Sequence, residues 1–307
     1  MLNQNQVESK LPEILRSHYG LQDFSLRFLR EGGSRVYLVE GESGYLLKVI
    51  GSAFADTARQ SVSVMRFLES RGFPVPKTLL TQSGEALLET SLDGELLLIL
   101  LQEYIEGDEP DLEVRAPEAG DLVGRLHCLL EQYPDKLVSR GYDFFIGRYL
   151  DILRKKNYPG LSAYEELGRK LWQKVSGQPE GNCHGDLHRG NLLEAADGQI
   201  YLLDFDTVCY APVMFDVMVM CDMTDYFRLN PEDIDRTGRV YEQFLSAYTQ
   251  RRSLTAAEKQ SFPDWVAIRH FQLQATIVET YGPDCIDTQF IDWQLHWLKS
   301  WLEATRA

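Results

Sequence analysis

The sequence predicts an α+β fold in two lobes, a small N-terminal lobe built on an antiparallel sheet and a larger, mainly helical C-terminal lobe. Three observations carry this expectation. Short apolar runs separated by glycine-bearing turns crowd residues 24–104, the acidic stretch "IEGDEPDLE" then changes the composition, and beyond it apolar residues recur at helical spacing to the end. A chain of 307 residues is long enough to give each lobe its own core. The boundary falls after Tyr104, so the lobes are 1–104 and 105–307.

Residues 6–18 have the spacing of a short amphipathic helix. "FSLRFL" (24–29), "RVYLVE" (35–40) and "YLLKVI" (45–50) read as three antiparallel strands, joined through "REGGSR" and "GESG", which carry the glycine that hairpin turns need. A helix follows at about 54–70; Gly72 stops it, and Pro74 and Pro76 extend the chain into a strand near 77–81. The run "ELLLILLQEY" (95–104) is continuous enough to be a strand covered on both faces. In the second lobe, helices are expected at about 117–133, 161–175, 214–228, 236–250, 255–280 and 289–304. Only 182–206 interrupts them, reading as two short strands joined by the turn "ADGQ", with a polar loop before each.

Composition narrows the function. Hydrophobic residues at 44% and charged residues at 25% are ordinary for a globular chain. The longest apolar runs fall far short of the roughly 20 residues a membrane helix needs, and "MLNQNQVESKLPE" lacks a signal-peptide core, so a soluble cytoplasmic protein is expected. Five cysteines, Cys128, Cys183, Cys209, Cys221 and Cys285, form no CxxC pair and suit reduced thiols. With 46 acidic against 31 basic residues the net charge is -15, which repels nucleic-acid backbones and anionic lipid. A cationic small molecule is compatible with it.

The stretch "NCHGDLHRGNLL" (182–193) carries the chemistry. Its alternating His184, Asp186 and His188 lack the cysteines or spaced histidine pair of a zinc site, and the chain has no GxSxG for a nucleophile elbow. A polar loop capping its own backbone is the bland reading. It leaves unexplained that Asp186 is followed by Asn191 and then by Asp204 at the end of the apolar run "IYLLDFD". Phosphoryl transfer needs a carboxylate to position or deprotonate the attacking hydroxyl and oxygen ligands to hold magnesium on the phosphates. The kinase catalytic loop H-R-D-L-x-x-x-N has the spacing found here in His184, Asp186, Leu187 and Asn191.

"HGDLHRGN" resembles the HGDxHxxN catalytic loop of the aminoglycoside phosphotransferase and choline kinase family, whose fold is protein-kinase-like. "LLDFDTVCYAPVMFDV" is similar to its metal strand and the helix start that follows. The resemblance implies Asp186 as catalytic base, Asn191 and Asp204 as magnesium ligands, and His184 and Asp216 as structural support for the loop. Asp206 stands where protein kinases carry the glycine of Asp-Phe-Gly. His188 is either structural or an acceptor contact.

The N-terminal lobe offers matching parts. Gly32, Gly33 and Ser34 sit at the first hairpin, where small residues let backbone N–H groups approach phosphates. Lys48, flanked by apolar residues on the third strand, needs an anionic partner. By resemblance, backbone groups of Glu103 and Ile105 meet adenine and Tyr104 lies alongside it. His127 reads as a packed, satisfied histidine. One departure stands out: the family's glutamate that pairs with the strand lysine belongs near residue 60 or 61, where this chain has Gln60 and Ser61. Asp56 is an alternative acid.

These readings point to an ATP- or GTP-dependent, magnesium-dependent phosphotransferase acting on a hydroxyl of a small molecule, aminoglycoside-, choline- or sugar-like. A protein Ser/Thr kinase of the same fold and a non-catalytic pseudokinase are the alternatives. Acids at Glu106, Asp108, Glu109, Asp111, Glu113, Asp222 and Asp225 either face a cationic acceptor or form a solvated surface. The aromatic residues of the last helices are expected mainly in the core.

Overall fold

A computed structural model describes residues 4–32, 34–92 and 94–305, with side chains from Val7 onward. In chain order the elements are α1 (Gln4–Tyr19), β1 (Ser25–Glu31), β2 (Ser34–Glu40), β3 (Tyr45–Gly51), α2 (Ala55–Ser70), β4 (Leu88–Leu92), β5 (Glu95–Glu103) and β6 (Gly107–Asp108). They continue with α3 (Leu112–Leu130), α4 (Arg148–Lys155), α5 (Leu161–Val175), β7 (Glu180–Cys183), β8 (Leu192–Ala195), β9 (Ile200–Leu202) and β10 (Cys209–Pro212). Five helices close the chain: α6 (Met214–Cys221), α7 (Pro231–Arg251), α8 (Ala256–Gln260), α9 (Phe262–Tyr281) and α10 (Thr288–Ala304). Two compact units result, one of residues up to Pro110 plus Gly190–Thr207, the other of Asp111–Arg189 plus Val208 onward.

The first unit is organised by an antiparallel sheet of order β1-β2-β3-β5-β4. Side chains alternate across a strand, so its two faces are set by parity. Leu47 and Val49 of β3 with Ile99 and Leu101 of β5 face α1, whose Val7, Leu11, Leu15 and Tyr19 recur every four residues and are buried against them. Ile50 and Leu98 face the other way, toward Ala55 and Ala58 of α2. Lys48 therefore projects on the α2 side. The second sheet of this unit, β6-β8-β9, is small. Gly107 permits it, because a Cβ there would stand 2.3 Å from the carbonyl oxygen of Glu194.

The expected strand at 77–81 is absent as a full strand. β4 pairs with the first half of β5, and residues 77–79 fringe its second half through a single bridge, Thr78 to Gln102. Pro76 has no N–H to continue the ladder.

The second unit is helical apart from the β7–β10 pair. α3 and α7 approach so closely that a Cβ on Gly120 would lie 2.2 Å from the carbonyl oxygen of Phe244. Phe145, Phe215 and Trp265 make edge-on ring contacts in the core, and Trp297 and Trp301 are also buried. The five cysteines are free thiols.

Two helix expectations need correction. The helix placed at 214–228 stops at Cys221, because Asp222 accepts from the Thr224 N–H and hydroxyl, and Asp225 from the N–H groups of Phe227 and Arg228. Such local bonds compete with helix continuation. The helix placed at 255–280 is two helices, the first opened by a Thr255/Glu258 capping box and the second carrying Pro263 in its first turn. Helix α4 lies in a segment for which periodicity predicts nothing. No helix among the described residues is long and apolar enough to cross a membrane.

Candidate active site

In the first unit, β3 carries Lys48 inward and the short strand β9 delivers Asp204 and Asp206 to meet it. Lys48 Nζ lies 2.8 Å from Asp204 Oδ1 and 3.0 Å from Asp206 Oδ2, and its side chain is 6% exposed. Burial alone would lower the lysine pKa; the two carboxylates, Asp206 ahead of Asp204, outweigh it, and the net shift is upward. Burial likewise opposes ionisation of Asp204, but Lys48 and then Arg30 overcome it and hold the carboxyl down at about 2. Arg30 Nη2 approaches the other Asp204 oxygen at 3.4 Å. Asp204 sits at φ 58°, a left-handed conformation that costs a non-glycine residue energy.

The missing helix glutamate is thereby explained. Ser61, where an acid was expected, donates its hydroxyl to Asp206 Oδ1 at 3.2 Å, so α2 holds the acid that pairs with the lysine. Asp56 does not serve: it is exposed and pairs with Arg59 at 2.9 Å. Asp206 was legible only as a departure from Asp-Phe-Gly, and its partnership with Lys48 carries no local motif.

Asn191, largely buried, precedes β8, and its carbonyl accepts the Leu203 N–H at 2.8 Å, which ties it to the residue before Asp204. At the first hairpin the Gly32 N–H donates to the Ser34 carbonyl at 3.1 Å, and nothing stands within 4 Å of where a Gly32 Cβ would be. Gly33 lies outside the described residues. At the end of β5 the Glu103 N–H donates to the Lys77 carbonyl and the Tyr104 N–H to Gly44. Of the backbone groups expected at adenine, the Glu103 N–H is thus already bonded. Tyr104 is exposed and Ile105 half-buried.

In the second unit, the loop after β7 is held by one carboxylate. Fully buried Asp216, in the first turn of α6, accepts the His184 N–H at 2.7 Å and the Gly185 N–H at 2.9 Å. His127 Nε2 joins it at 3.2 Å, while His127 Nδ1 meets the Tyr248 hydroxyl at 2.7 Å. Burial opposes the Asp216 charge, yet the His127 hydrogen bond, the nearby histidines and the Gly185 N–H keep its pKa below the ordinary value. Gly185 stands at φ 85°, where a side chain would be strained. His127, Cys183 and Asp216 do cluster, but the carboxylate is spent on backbone donors and the Cys183 thiol points at carbonyls, with burial pushing its pKa up.

Asp186 follows. Its N–H reaches His184 Nδ1 at 3.4 Å, its carbonyl accepts the His188 N–H at 2.9 Å, and His188 Nε2 is 3.7 Å from its carboxylate. Arg269 of α9 approaches Asp186 Oδ1 at 3.2 Å. Sequence reading missed Arg269, since the last third of the chain has no motif; its one signal is the pair Arg269–His270 inside an otherwise apolar turn, "VAIRHF".

Of the acids considered for a cation, Asp111 caps α3, Glu113 lies near Arg236 and Arg239, and Asp222 and Asp225 form turns. Trp265, Phe271, Trp297 and Trp301 are core.

The sequence profile of the phosphotransferase enzyme family matches residues 25–254. An uncharacterised protein of Deinococcus radiodurans is 29% identical, covering 97% of this chain and 90% of that one. A homoserine kinase of Pseudomonas aeruginosa is 26% identical over 67% of this chain and 65% of its own length. Among solved structures, the amicoumacin kinase hAmiN in complex with AMP-PNP, Ca2+ and Ami superposes with a TM-score of 0.75 at 19% identity, covering 97% of this chain and 96% of that one.

Proposed function

Because this chain belongs to the phosphotransferase enzyme family, and is a small-molecule kinase by that membership, we propose that it transfers the γ-phosphate of ATP, with magnesium, to a hydroxyl of a small acceptor. The observation that carries the reading is the buried Lys48 ammonium held by Asp204 and Asp206. An ammonium taken out of water and fixed between carboxylates is preset to meet phosphate oxygens, and electrostatic positioning does most of the work in phosphoryl transfer.

Lys48 holds the α- and β-phosphates. The donors beside it are all oxygen, and Asp204 stays ionised down to about pH 2, so the residues present fit a hard divalent cation. Asp204 and Asn191 would hold magnesium, which when bound neutralises charge on the transferring phosphoryl group. Gly32 and Ser34 border the phosphates at the first hairpin. Asp186 orients the acceptor hydroxyl and takes its proton late, as the new O–P bond forms and the bond to ADP breaks. Asp216 fixes the backbone of 184–185 and so the aim of Asp186.

Ser61 and Asp206 bear on the alternative of a non-catalytic scaffold. That alternative drew support from the absent helix glutamate, and a lysine already paired with an acid removes it. Thermal unfolding with ATP, with and without magnesium, tests the reading: a magnesium-dependent rise in Tm that Asp204→Ala abolishes is expected. No rise at millimolar nucleotide would sink it.

A further inference from the structure

Strand β1 ends in an irregularity that changes which face its last residues present. Its pairing with β2 runs from Phe28 opposite Tyr37 to Arg30 opposite Val36, so Leu29 is an extra residue, a β-bulge. Directly paired residues share a face of the sheet, and Tyr37 with its β3 partner Leu47 belongs to the core that faces α1. Two residues on from Phe28, an unbulged Arg30 would face α1 as well. The bulge turns it over: Val36 is paired with Lys48, so Arg30, Val36 and Lys48 form one rung on the Lys48 face. Two strand spacings of about 4.8 Å each separate the ends of that rung, and both cations finish on one carboxylate. Lys48 Nζ takes Asp204 Oδ1 at 2.8 Å, and Arg30 Nη2 takes Oδ2 at 3.4 Å.

The two bonds differ in kind. Lys48 is 6% exposed and held by two acids, whereas the Arg30 side chain is 65% exposed and bonds no other side chain among the described residues. Its contact is longer than the roughly 2.7–2.9 Å of a strong charge-assisted bond, and exposed ion pairs are weak and readily exchanged. With Oδ1 kept by Lys48, a divalent cation on Asp204 takes the oxygen that Arg30 holds, and the two positive charges compete for it. A guanidinium released there remains on the Lys48 face, next to the first hairpin, and its planar fork matches phosphate oxygens. We propose that Arg30 is a phosphate-binding residue that caps Asp204 until a cation takes that carboxylate and then binds the β- or γ-phosphate. This rests on the reading of Lys48, Asp204 and the first hairpin as the ATP site.

The test compares the intact wild-type protein with Arg30→Gln, which removes the charge at an exposed position, and Arg30→Lys, which keeps the charge without the fork. Electron paramagnetic resonance of free Mn2+ reports binding of the metal alone, and isothermal titration calorimetry reports binding of ATP with magnesium. Arg30→Gln should bind Mn2+ about 2- to 5-fold more tightly, the worth of an exposed ion pair, and adding Asp204→Ala to the same chain should remove that gain. The same variant should bind ATP with magnesium about 10-fold more weakly, the low end for a hydrogen bond to a charged group, with Arg30→Lys in between. Opposite signs for metal and nucleotide separate this role from an ion pair that only neutralises Asp204, whose loss would tighten both. ATP bound by Arg30→Gln as well as by wild type, Arg30→Lys no better than Arg30→Gln, or Mn2+ bound no more tightly overturns the proposal. Magnesium-dependent ATP binding by wild type with an unaffected Arg30→Gln sinks only the role of the arginine, whereas its absence in wild type sinks the kinase reading and this proposal together.

Discussion

Lys48 Nζ lies 3.0 Å from Asp206 Oδ2, and that acid is in turn held by the Ser61 hydroxyl at 3.2 Å. A lysine that the family pairs with a helix glutamate is here paired through a strand-end aspartate, with the helix contributing only a hydroxyl. Ser61→Ala removes one hydrogen bond worth about 1 kcal/mol. Steady-state kinetics should show KM for ATP rising about fivefold. Asp206→Asn, which strips one of the two charges from the lysine, should raise it by tenfold or more; unchanged ATP kinetics in both variants would remove Asp206 from the nucleotide site.

Asp216 is the single acceptor for two backbone N–H groups of the loop and for His127. Asparagine has one acceptor oxygen, so Asp216→Asn turns an N–H toward another N–H in a site closed to water. Urea unfolding should report a loss of about 3 kcal/mol or more, and kcat should fall further than ATP affinity does. A loss under about 1 kcal/mol would mean that the loop is held by other contacts.

His270 gives the fold an acid-sensitive point. Its Nδ1 meets Gln294 Oε1 at 2.9 Å, and Gln294 Nε2 donates to the Tyr226 carbonyl, which orients the amide so that the imidazole donates. Trp297 and Tyr226 stack on the ring. Burial, with a smaller push from Arg269, lowers its pKa from 6.5 to about 4 against the raising effect of Gln294. Because the unfolded chain binds the proton first, stability is full above about pH 6.5 and falls as pH drops toward 4, by up to roughly 3 kcal/mol. His270→Asn keeps a donor without a titrating ring, so its stability should vary less across that window; an identical slope would mean that other groups set it.

Much of this was legible along the chain, for reasons that differ by element. The strands β2, β3 and β5 announced themselves because each is buried on at least one face, and α5 because its apolar stripe is regular. The aspartates of 222–228 were not separable from a helix by periodicity, since their turn-forming bonds depend on which backbone groups they find. Asp186, Asn191 and Asp204 stood out by spacing, and Lys48 by its place between apolar residues on a strand. Asp206 and Arg269 did not, because each acquires its partner through tertiary folding, Asp206 from β3 across 158 residues and Arg269 from the loop 83 residues earlier.

In the proposed reaction Asp186 takes the acceptor's proton as phosphate is transferred. Its most direct test is acceptor-dependent ADP formation by wild type and Asp186→Ala, run beside the magnesium-dependent ATP shift. Asp186→Ala should keep the shift and lose transfer by about 100-fold or more. An Asp186→Ala protein that still transfers phosphate at the wild-type rate would contradict it.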